Sequence, residues 1–213
     1  MDKLKDNLST ALISDILDEE GFRNQMLPID IKPNFPEAKI FGKAKIMSLK
    51  PIKEGESYQE VYKGLYFLES LDKGDVIIVA NGFKDYAFFG EIMSTLSKVR
   101  GIEGTIVEGC TRDKAMTTKM RYPVFAKDNI ARDIKKRGIV DKVDVNSVKI
   151  GEVLVRKGDY VFGDIDGIII IPAEIKDHII EKAIKVAEIE SQIKKSINEG
   201  NSVKDIRGKF GEF

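Results

Sequence analysis

An acidic residue and an Arg-Asp pair stand at a spacing that could assemble a charged site. Glu91 opens a segment with helical periodicity, and Arg112 and Asp113 follow after twenty intervening residues, just past a short apolar run. A carboxylate, a guanidinium and a second carboxylate in one crevice would suit a divalent cation and a small anionic substrate. The elements around these residues decide whether the three side chains meet.

Each of these residues also has a simpler structural interpretation. Glu91 could only complement the positive end of a helix dipole, and the Arg112-Asp113 pair could only cap the helix that follows it. Against this, the first turn at Gly90, Ile92 and Met93 would present unpaired N–H groups, which bind carboxylates without any basic side chain. The residues alone leave both alternatives open.

The surrounding pattern predicts a βαβ unit. Residues 75–80 (DVIIVA) and 104–108 are short and β-branched, as buried strands are, and helical spacing of apolar residues predicts a helix over 90–100. A crossover of this kind makes the two strands parallel. The loops 81–90 and 108–113 then lie at the carboxyl ends of the strands, where open α/β sheets bind ligands. In this interpretation a Gly turn after the second strand holds Arg112 and Asp113.

The rest of the chain predicts an α/β fold with one domain over residues 1–200 and a polar tail over 201–213. A meander of short strands is expected where Gly-Asp turns recur, and a long amphipathic helix is expected after Pro172, ending at Gly200. The expected elements are helices over 8–20 and 57–71, a loop over 22–38, strands over 39–49 and 123–126, a meander over 138–171, and the helix that follows it.

Composition excludes several classes of function. Lys+Arg and Asp+Glu balance at 35 each, which gives no electrostatic case for nucleic acid. No apolar run approaches the ~18 residues that span a bilayer, so no membrane association is expected. The first residues lack the apolar core of a signal peptide, and the single cysteine, Cys110, excludes an internal disulfide. A reducing, cytoplasmic location is therefore expected.

The same composition restricts the metal chemistry. With one His and one Cys, a zinc site built from several nitrogen and sulfur ligands is not expected. A metal here would need oxygen ligands, which points to Mg²⁺ or Mn²⁺ held by Asp113. Cys110 is interpreted as a packing residue, His178 as solvent-facing, and Asp164 and Asp166 as turn residues.

At these motifs the chain resembles the regulator of ribonuclease activity A family, which includes 4-hydroxy-4-methyl-2-oxoglutarate aldolases. Some members have carried the name menaquinone-biosynthesis methyltransferase, although no glycine-rich cofactor loop follows a strand here. The resemblance spans residues 76–128 and 151–172 and extends back to the first helix. It is carried by the segments VIIVANG, GEIMSTLSKVRGIEGTIVEGCTRD, PVFAKD, GEVLVRKGDYVFGDIDGIIIIP and LSTALISDILDEEG.

The resemblance implies a swivelling β/β/α sandwich that assembles as a homotrimer or a dimer of trimers, with its active site in a cleft between subunits. It implies that Asp113 binds the metal directly and that Glu91 binds a metal-bound water. Arg112 would bind the pyruvyl oxygen and carboxylate, and the N–H groups of Ile92 and Met93 would hold the substrate carboxylate. A further acid from a neighbouring subunit is implied, for which Glu188, Glu190 and Glu199 are available.

One departure from the family pattern affects the expected substrate. Aldolases of the family commonly place an acid three residues after the Arg-Asp pair's Asp, and Met116 occupies that position. We therefore expect a divalent-metal-dependent lyase that cleaves a 2-oxo acid through a pyruvate enolate, with oxaloacetate decarboxylation ahead of retro-aldol cleavage of 4-hydroxy-4-methyl-2-oxoglutarate. The alternative is a non-catalytic regulator that binds a ribonuclease or helicase.

Overall fold

The structure is a computed structural model that describes Lys5 and residues 7–212. Its main sheet has the strand order β1-β5-β4-β3-β2-β9-β10, with β6 also paired to β2, and β7 and β8 form a separate hairpin. The strands are β1 (Lys32–Pro33), β2 (Ile40–Pro51), β3 (Asp75–Ala80), β4 (Gly104–Thr111), β5 (Val124–Asn129), β6 (Gly138–Val143), β7 (Ser147–Ile150), β8 (Val153–Arg156), β9 (Tyr160–Gly163) and β10 (Ile168–Ile171). The helices are α1 (Thr10–Glu19), α2 (Lys63–Glu69), α3 (Glu91–Val99), α4 (Lys114–Lys119), α5 (Lys176–Asn198) and α6 (Val203–Phe210).

The centre of the sheet consists of four parallel strands, β2 to β5. All six residues of β3 are buried, as expected for a strand that is covered on both faces. Alternate β3 residues enter two different cores: Val76 and Ile78 pack into one, and Ile77 and Val79 pack into the other. The βαβ unit predicted from the sequence is confirmed.

Different layers cover the two faces. On one face the core includes Phe67 of α2 and Met93 of α3. On the other face the core includes Ile150 and Val153 from the β7–β8 hairpin. The layers therefore follow one another as hairpin, main sheet and helices. The molecule is a mixed α/β single domain with a curled sheet and a long C-terminal helix.

The long helix α5 packs with α1 against β9 and β10 in a third core. Ile179 and Ala183 are fully buried there, whereas Ile189 and Ile197 of the same predicted apolar face are 44% and 53% exposed. Within the polar tail the structure places α6, whose Ile206 is buried. In the described ranges no helix combines the length and apolar character needed to cross a bilayer.

Several predicted boundaries were wrong for local reasons. The helix expected over 57–71 begins as a 3₁₀ turn at Tyr58–Tyr62, and Pro172 precedes another such turn before α5 starts. The loop 22–38 contains β1, which pairs with β5. The strand expected over 104–108 continues to Thr111, because its last residues pair with β5 after a register shift.

Candidate active site at the carboxyl edge of the sheet

The segments that follow β3 and β4 lie side by side. The backbone of Gly109 approaches Gly82 so closely that a Cβ on Gly109 would lie 2.6 Å from the Gly82 carbonyl carbon. Gly109 therefore lies inside β4, where the absence of a side chain permits this close approach. The prediction of a Gly turn there was wrong. Two backbone hydrogen bonds continue the contact: Cys110 N–H donates to the Phe83 carbonyl at 2.8 Å, and Arg112 N–H donates to the Phe89 carbonyl at 3.0 Å. The two loops thus meet where the sequence placed them.

Asp113 is held facing the start of α3. Its backbone is left-handed (φ 59°, ψ 33°), a conformation in which Asp and Asn are enriched among non-glycine residues. Although Asp113 is at the N-cap position of α4, its side chain makes no capping hydrogen bond. Instead its Oδ2 accepts from the backbone N–H of Glu91 at 3.1 Å. The simple capping interpretation of the Arg-Asp pair was therefore wrong.

The Arg112 guanidinium is held between two carboxylates. Its Nε lies 3.4 Å from Asp113 Oδ2, and its Nη1 donates to Asp133 Oδ2. Asp133 is itself fixed, because its Oδ1 accepts the backbone N–H of Lys135 at 2.6 Å and its backbone bridges to Ala87. This arrangement orients the Arg112 guanidinium.

Asp133 was not singled out in the sequence, and neither was Tyr58, which lies near it. Burial raises the pKa of the Tyr58 hydroxyl, the Asp133 carboxylate adds to the rise, and Arg112 opposes it. Tyr58 is therefore a neutral hydrogen-bond donor at neutral pH. The available signal for Asp133 was its position just after β5, a third parallel strand whose carboxyl end lies at the same edge.

The first turn of α3 supplies the backbone donors predicted for a carboxylate. The helix begins at Glu91 with Gly90 as N-cap. Helix geometry leaves the first N–H groups without intrahelical acceptors, and Asp113 uses only that of Glu91, so those of Ile92 and Met93 remain as donors. The Ile92 side chain is 75% exposed beside the site, whereas that of Met93 packs into the core.

Gly90 provides a testable feature of this geometry. A Cβ at this position would lie 2.6 Å from Asp113 Oδ2 and 2.9 Å from Arg112 Cγ. Gly90→Ala should therefore displace both side chains while the fold persists, and misplacement of about 1 Å can cost roughly 10²-fold in rate. Turnover measured beside the melting temperature checks this. Gly208→Ala, where a Cβ meets nothing within 4 Å, is the matched control, and equal activity of the two variants would contradict the prediction.

The residues at the site fit a hard divalent cation. The Asp113 and Asp133 carboxylates flank one guanidinium, an excess of one negative charge around Arg112. In the described part of the chain no three His, Cys, Asp or Glu side chains form a metal-binding group. These residues therefore do not form a metal site built entirely from protein side chains. Mg²⁺ needs no such site, because it is commonly held by one or two carboxylates with waters and substrate oxygens.

The other candidate residues lie outside this constellation. Glu190 pairs with Lys194 at 3.0 Å within α5, and Glu199, the C-cap of that helix, lies 3.9 Å from Lys195. Cys110 is buried, and burial raises the pKa of its thiol, so it is a packing residue as expected. Asp164 accepts from the N–H and hydroxyl of Thr10, which secures the start of α1 rather than a metal.

Solved structures share this fold. An uncharacterized protein from Pseudomonas syringae pv. tomato aligns with a TM-score of 0.83 at 24% identity, covering 99% of this chain and 95% of that one. RraAS2 of Streptomyces coelicolor, described as an unusual member of the RNase ES inhibitor RraA family, aligns with a TM-score of 0.75 at 24% identity, covering 89% and 94%. At these identities the likeness shows the fold.

Sequence relatives point to the same group. A protein of Halalkalibacterium halodurans named "Putative 4-hydroxy-4-methyl-2-oxoglutarate aldolase" is 31% identical, over 84% of this chain and 79% of its own. Protein DlpA of Legionella pneumophila is 28% identical over 94% of this chain, which spans 32% of DlpA. The chain spans 61% of an uncharacterized Methanocaldococcus jannaschii relative. A family model described as RraA-like, Aldolase/RraA, matches residues 10–170, and the chain belongs to that family.

Proposed function

We propose that the protein is a divalent-metal-dependent carbon-carbon lyase acting on a small 2-oxo acid through a pyruvate enolate. One observation carries the proposal. The Asp113 side chain does not cap α4 but accepts the first N–H of α3, and it lies beside an Arg112 that Asp133 holds in place. A side-chain cap of α4 would need none of these contacts. Relatives that carry aldolase names support the same reaction class.

Each residue then has a defined part. The N–H groups of Ile92 and Met93 at the start of α3 would bind the substrate carboxylate. Gly90 leaves room for the Asp113 and Arg112 side chains beside it. Arg112 would bind the pyruvyl oxygen and stabilise the negative charge that develops there when the carbon-carbon bond breaks. The Glu91 carboxylate would orient water at the site.

The proposed cofactor is Mg²⁺ or Mn²⁺, with Asp113 as the direct protein ligand. The Asp113 Oδ2 accepts from the Glu91 N–H and lies near Arg112. Its Oδ1 has no hydrogen-bond partner within the described residues and would bind the cation. When bound, the cation would act as a Lewis acid that polarises the substrate's keto oxygen.

A lyase of this kind would serve two substrate classes. Oxaloacetate decarboxylation and retro-aldol cleavage of 4-hydroxy-4-methyl-2-oxoglutarate leave the same pyruvate enolate. Decarboxylation asks less of the protein, because carbon dioxide leaves without a hydroxyl group that must be deprotonated. We rank decarboxylation first, since the position expected to carry an acid holds Met116.

Met116 supplies a test of that ranking. Its N–H donates to the Asp113 carbonyl at 2.9 Å and its side chain is 43% exposed, one helical turn beyond the proposed metal ligand. Met116→Glu or Met116→Asp should shift the ratio of kcat/KM toward aldol cleavage. A general base placed here can raise the rate of that reaction by about 10²-fold or more. Ala115→Glu, an exposed neighbour on the same helix, is the control.

The outcome of this comparison depends on both substrates. If the native protein already prefers the hydroxy-methyl substrate, Met116 is not the determinant of specificity. If Ala115→Glu shifts the ratio as far as Met116→Glu does, the effect comes from added charge alone and the local argument fails.

The second candidate function is binding without catalysis, as a regulator of a ribonuclease or helicase. It is favoured by the likeness to a protein described as belonging to an RNase inhibitor family. The two functions separate in one assay, because only the lyase releases pyruvate from a 2-oxo acid in the presence of Mg²⁺ or Mn²⁺.

We also propose that the protein works as a homotrimer or a dimer of trimers. Exposed apolar side chains lie beside the site at Ile92 and Met116, and others lie along α5 at Ile189 and Ile197. Single exposed apolar residues are ordinary, but groups of them commonly mark contacts between proteins. A neighbouring subunit at this edge would cover the site and add a carboxylate to it.

A further inference from the structure

A cavity lies at the amino edge of the parallel strands, opposite the candidate active site. Its volume is about 530 Å³, within the range of small-ligand sites. The lining comes from the segments that lead into β2, β3, β4 and β5, together with the ends of α3 and α4. It shares no residue with the candidate active site, whose side chains follow the carboxyl ends of the same strands.

The charge of the lining is strongly positive. Among the described residues of the lining, five basic side chains face two acidic ones, an excess of three positive charges in a protein whose total charge is zero: Lys5, Lys39, Lys73, Lys98 and Arg121 against Glu37 and Glu103. The two acids are already paired, Glu103 with Lys5 and Glu37 with Arg121. The excess therefore resides on three lysines.

These three lysines have no carboxylate partner within the described residues. Lys39 Nζ donates to the carbonyl oxygens of Lys5 and Leu8 at 2.8 and 3.0 Å, and Lys98 Nζ donates to the Met120 carbonyl. Carbonyl oxygens satisfy hydrogen bonds but do not neutralise a full charge. The end of α4 offsets part of the charge on Lys98 through its dipole. Lys39 and Lys73 lie in loops.

The floor of the cavity is apolar. Phe35, Ile102 and Tyr122 are all buried and line it, and the Arg121 guanidinium stacks 4.5 Å from the centre of the Phe35 ring. Arg121 holds this position with a left-handed backbone (φ 55°). A hydrated inorganic ion would gain little from such a floor, whereas an organic anion would contact the lysines and the apolar surface together.

We propose that this cavity binds a small organic anion with at least two negative charges, such as an organic phosphate. The direct test is calorimetric titration of the full chain with ATP and with fructose 1,6-bisphosphate, in EDTA and at low salt. Inorganic pyrophosphate is the comparison probe. We expect saturable binding that weakens as salt rises, with pyrophosphate binding more weakly than the organic anions.

Variants locate the binding. Lys73→Glu should weaken it by about tenfold or more, because a charge-assisted contact becomes a repulsion, and Lys73→Ala should weaken it less. Lys204→Glu makes the same charge change on the exposed helix α6 and should leave anion binding unchanged. Arg112→Ala, which removes a positive side chain at the carboxyl edge of the sheet, should also leave it unchanged. Circular dichroism melting confirms that each variant is folded.

Several results would overturn the proposal. The proposal fails if neither organic anion binds saturably, or if pyrophosphate binds as tightly as both of them. It also fails if Lys204→Glu weakens binding as much as Lys73→Glu does. Loss of binding in Arg112→Ala with full binding in Lys73→Glu would place the anion at the carboxyl edge instead, which would leave the proposed lyase function untouched.

Discussion

Asp113→Asn should abolish most of the lyase activity while the protein stays folded. Asn tolerates the left-handed backbone found at this position, and its side-chain oxygen still accepts the Glu91 N–H. The change therefore removes mainly the negative charge that would hold the cation. Loss of the cation's Lewis acidity costs several kcal/mol, so we expect turnover to fall by about 10³-fold or more.

The measurement is pyruvate release from oxaloacetate at saturating Mg²⁺, with the melting temperature recorded beside it. Asp85→Asn makes the same charge change in the neighbouring 81–90 loop, where the side chain is exposed, and should keep native activity. Native turnover in Asp113→Asn would show that this carboxylate is not the metal ligand.

Arg112→Lys should lose nearly as much activity as Arg112→Ala. Removing a preorganised group that stabilises developing charge costs about 3 kcal/mol, or roughly 10²–10³ in rate. Lysine keeps the charge but cannot reproduce the planar fork, and here the fork has a specific use. Nε and Nη1 engage Asp113 and Asp133 together, and the remaining N–H groups would bind the substrate.

The control for this prediction is Arg132→Lys, because Arg132 is an exposed residue in the same segment as Asp133. It should retain native kcat and KM. A Lys variant at position 112 with native kcat would mean that the guanidinium geometry is not used and that a point charge suffices.

The elements of the candidate site that the sequence predicted are those set by local patterns of apolar and β-branched residues. Buried DVIIVA and the helical spacing after Gly90 correctly placed β3, α3 and the loop between them, because periodicity and β-branching report directly on strands and helices. The parallel crossover then required Glu91 and the Arg112-Asp113 pair to lie at one edge. That much of the site follows from spacing alone.

The part that the sequence missed depends on contacts between distant segments. Asp133 reaches Arg112 only because the chain after β5 returns to pair with Ala87, and no local pattern encodes that return. Gly109 was interpreted as a turn residue, yet it lies inside β4 because a backbone more than twenty residues earlier approaches it. Glycine signals special geometry in a sequence but does not say which kind.

The long C-terminal helix shows the same division. Its length and periodicity were apparent, and Ile179 and Ala183 are buried as the periodicity requires. Ile189 and Ile197 have the same spacing but remain exposed, because the sheet and α1 cover only part of the helix. Periodicity identifies the apolar face of a helix, whereas the partner that covers it must be found in three dimensions.

The central claim is that a metal-dependent site cleaves 2-oxo acids, and pyruvate release with and without metal tests it most directly. Protein freed of metal by EDTA should release no pyruvate above the uncatalysed rate from oxaloacetate or from 4-hydroxy-4-methyl-2-oxoglutarate, and Mg²⁺ or Mn²⁺ should restore release. Full activity in metal-free protein would contradict the account. So would the absence of turnover of both substrates with either metal, and the binding-protein function would then take its place.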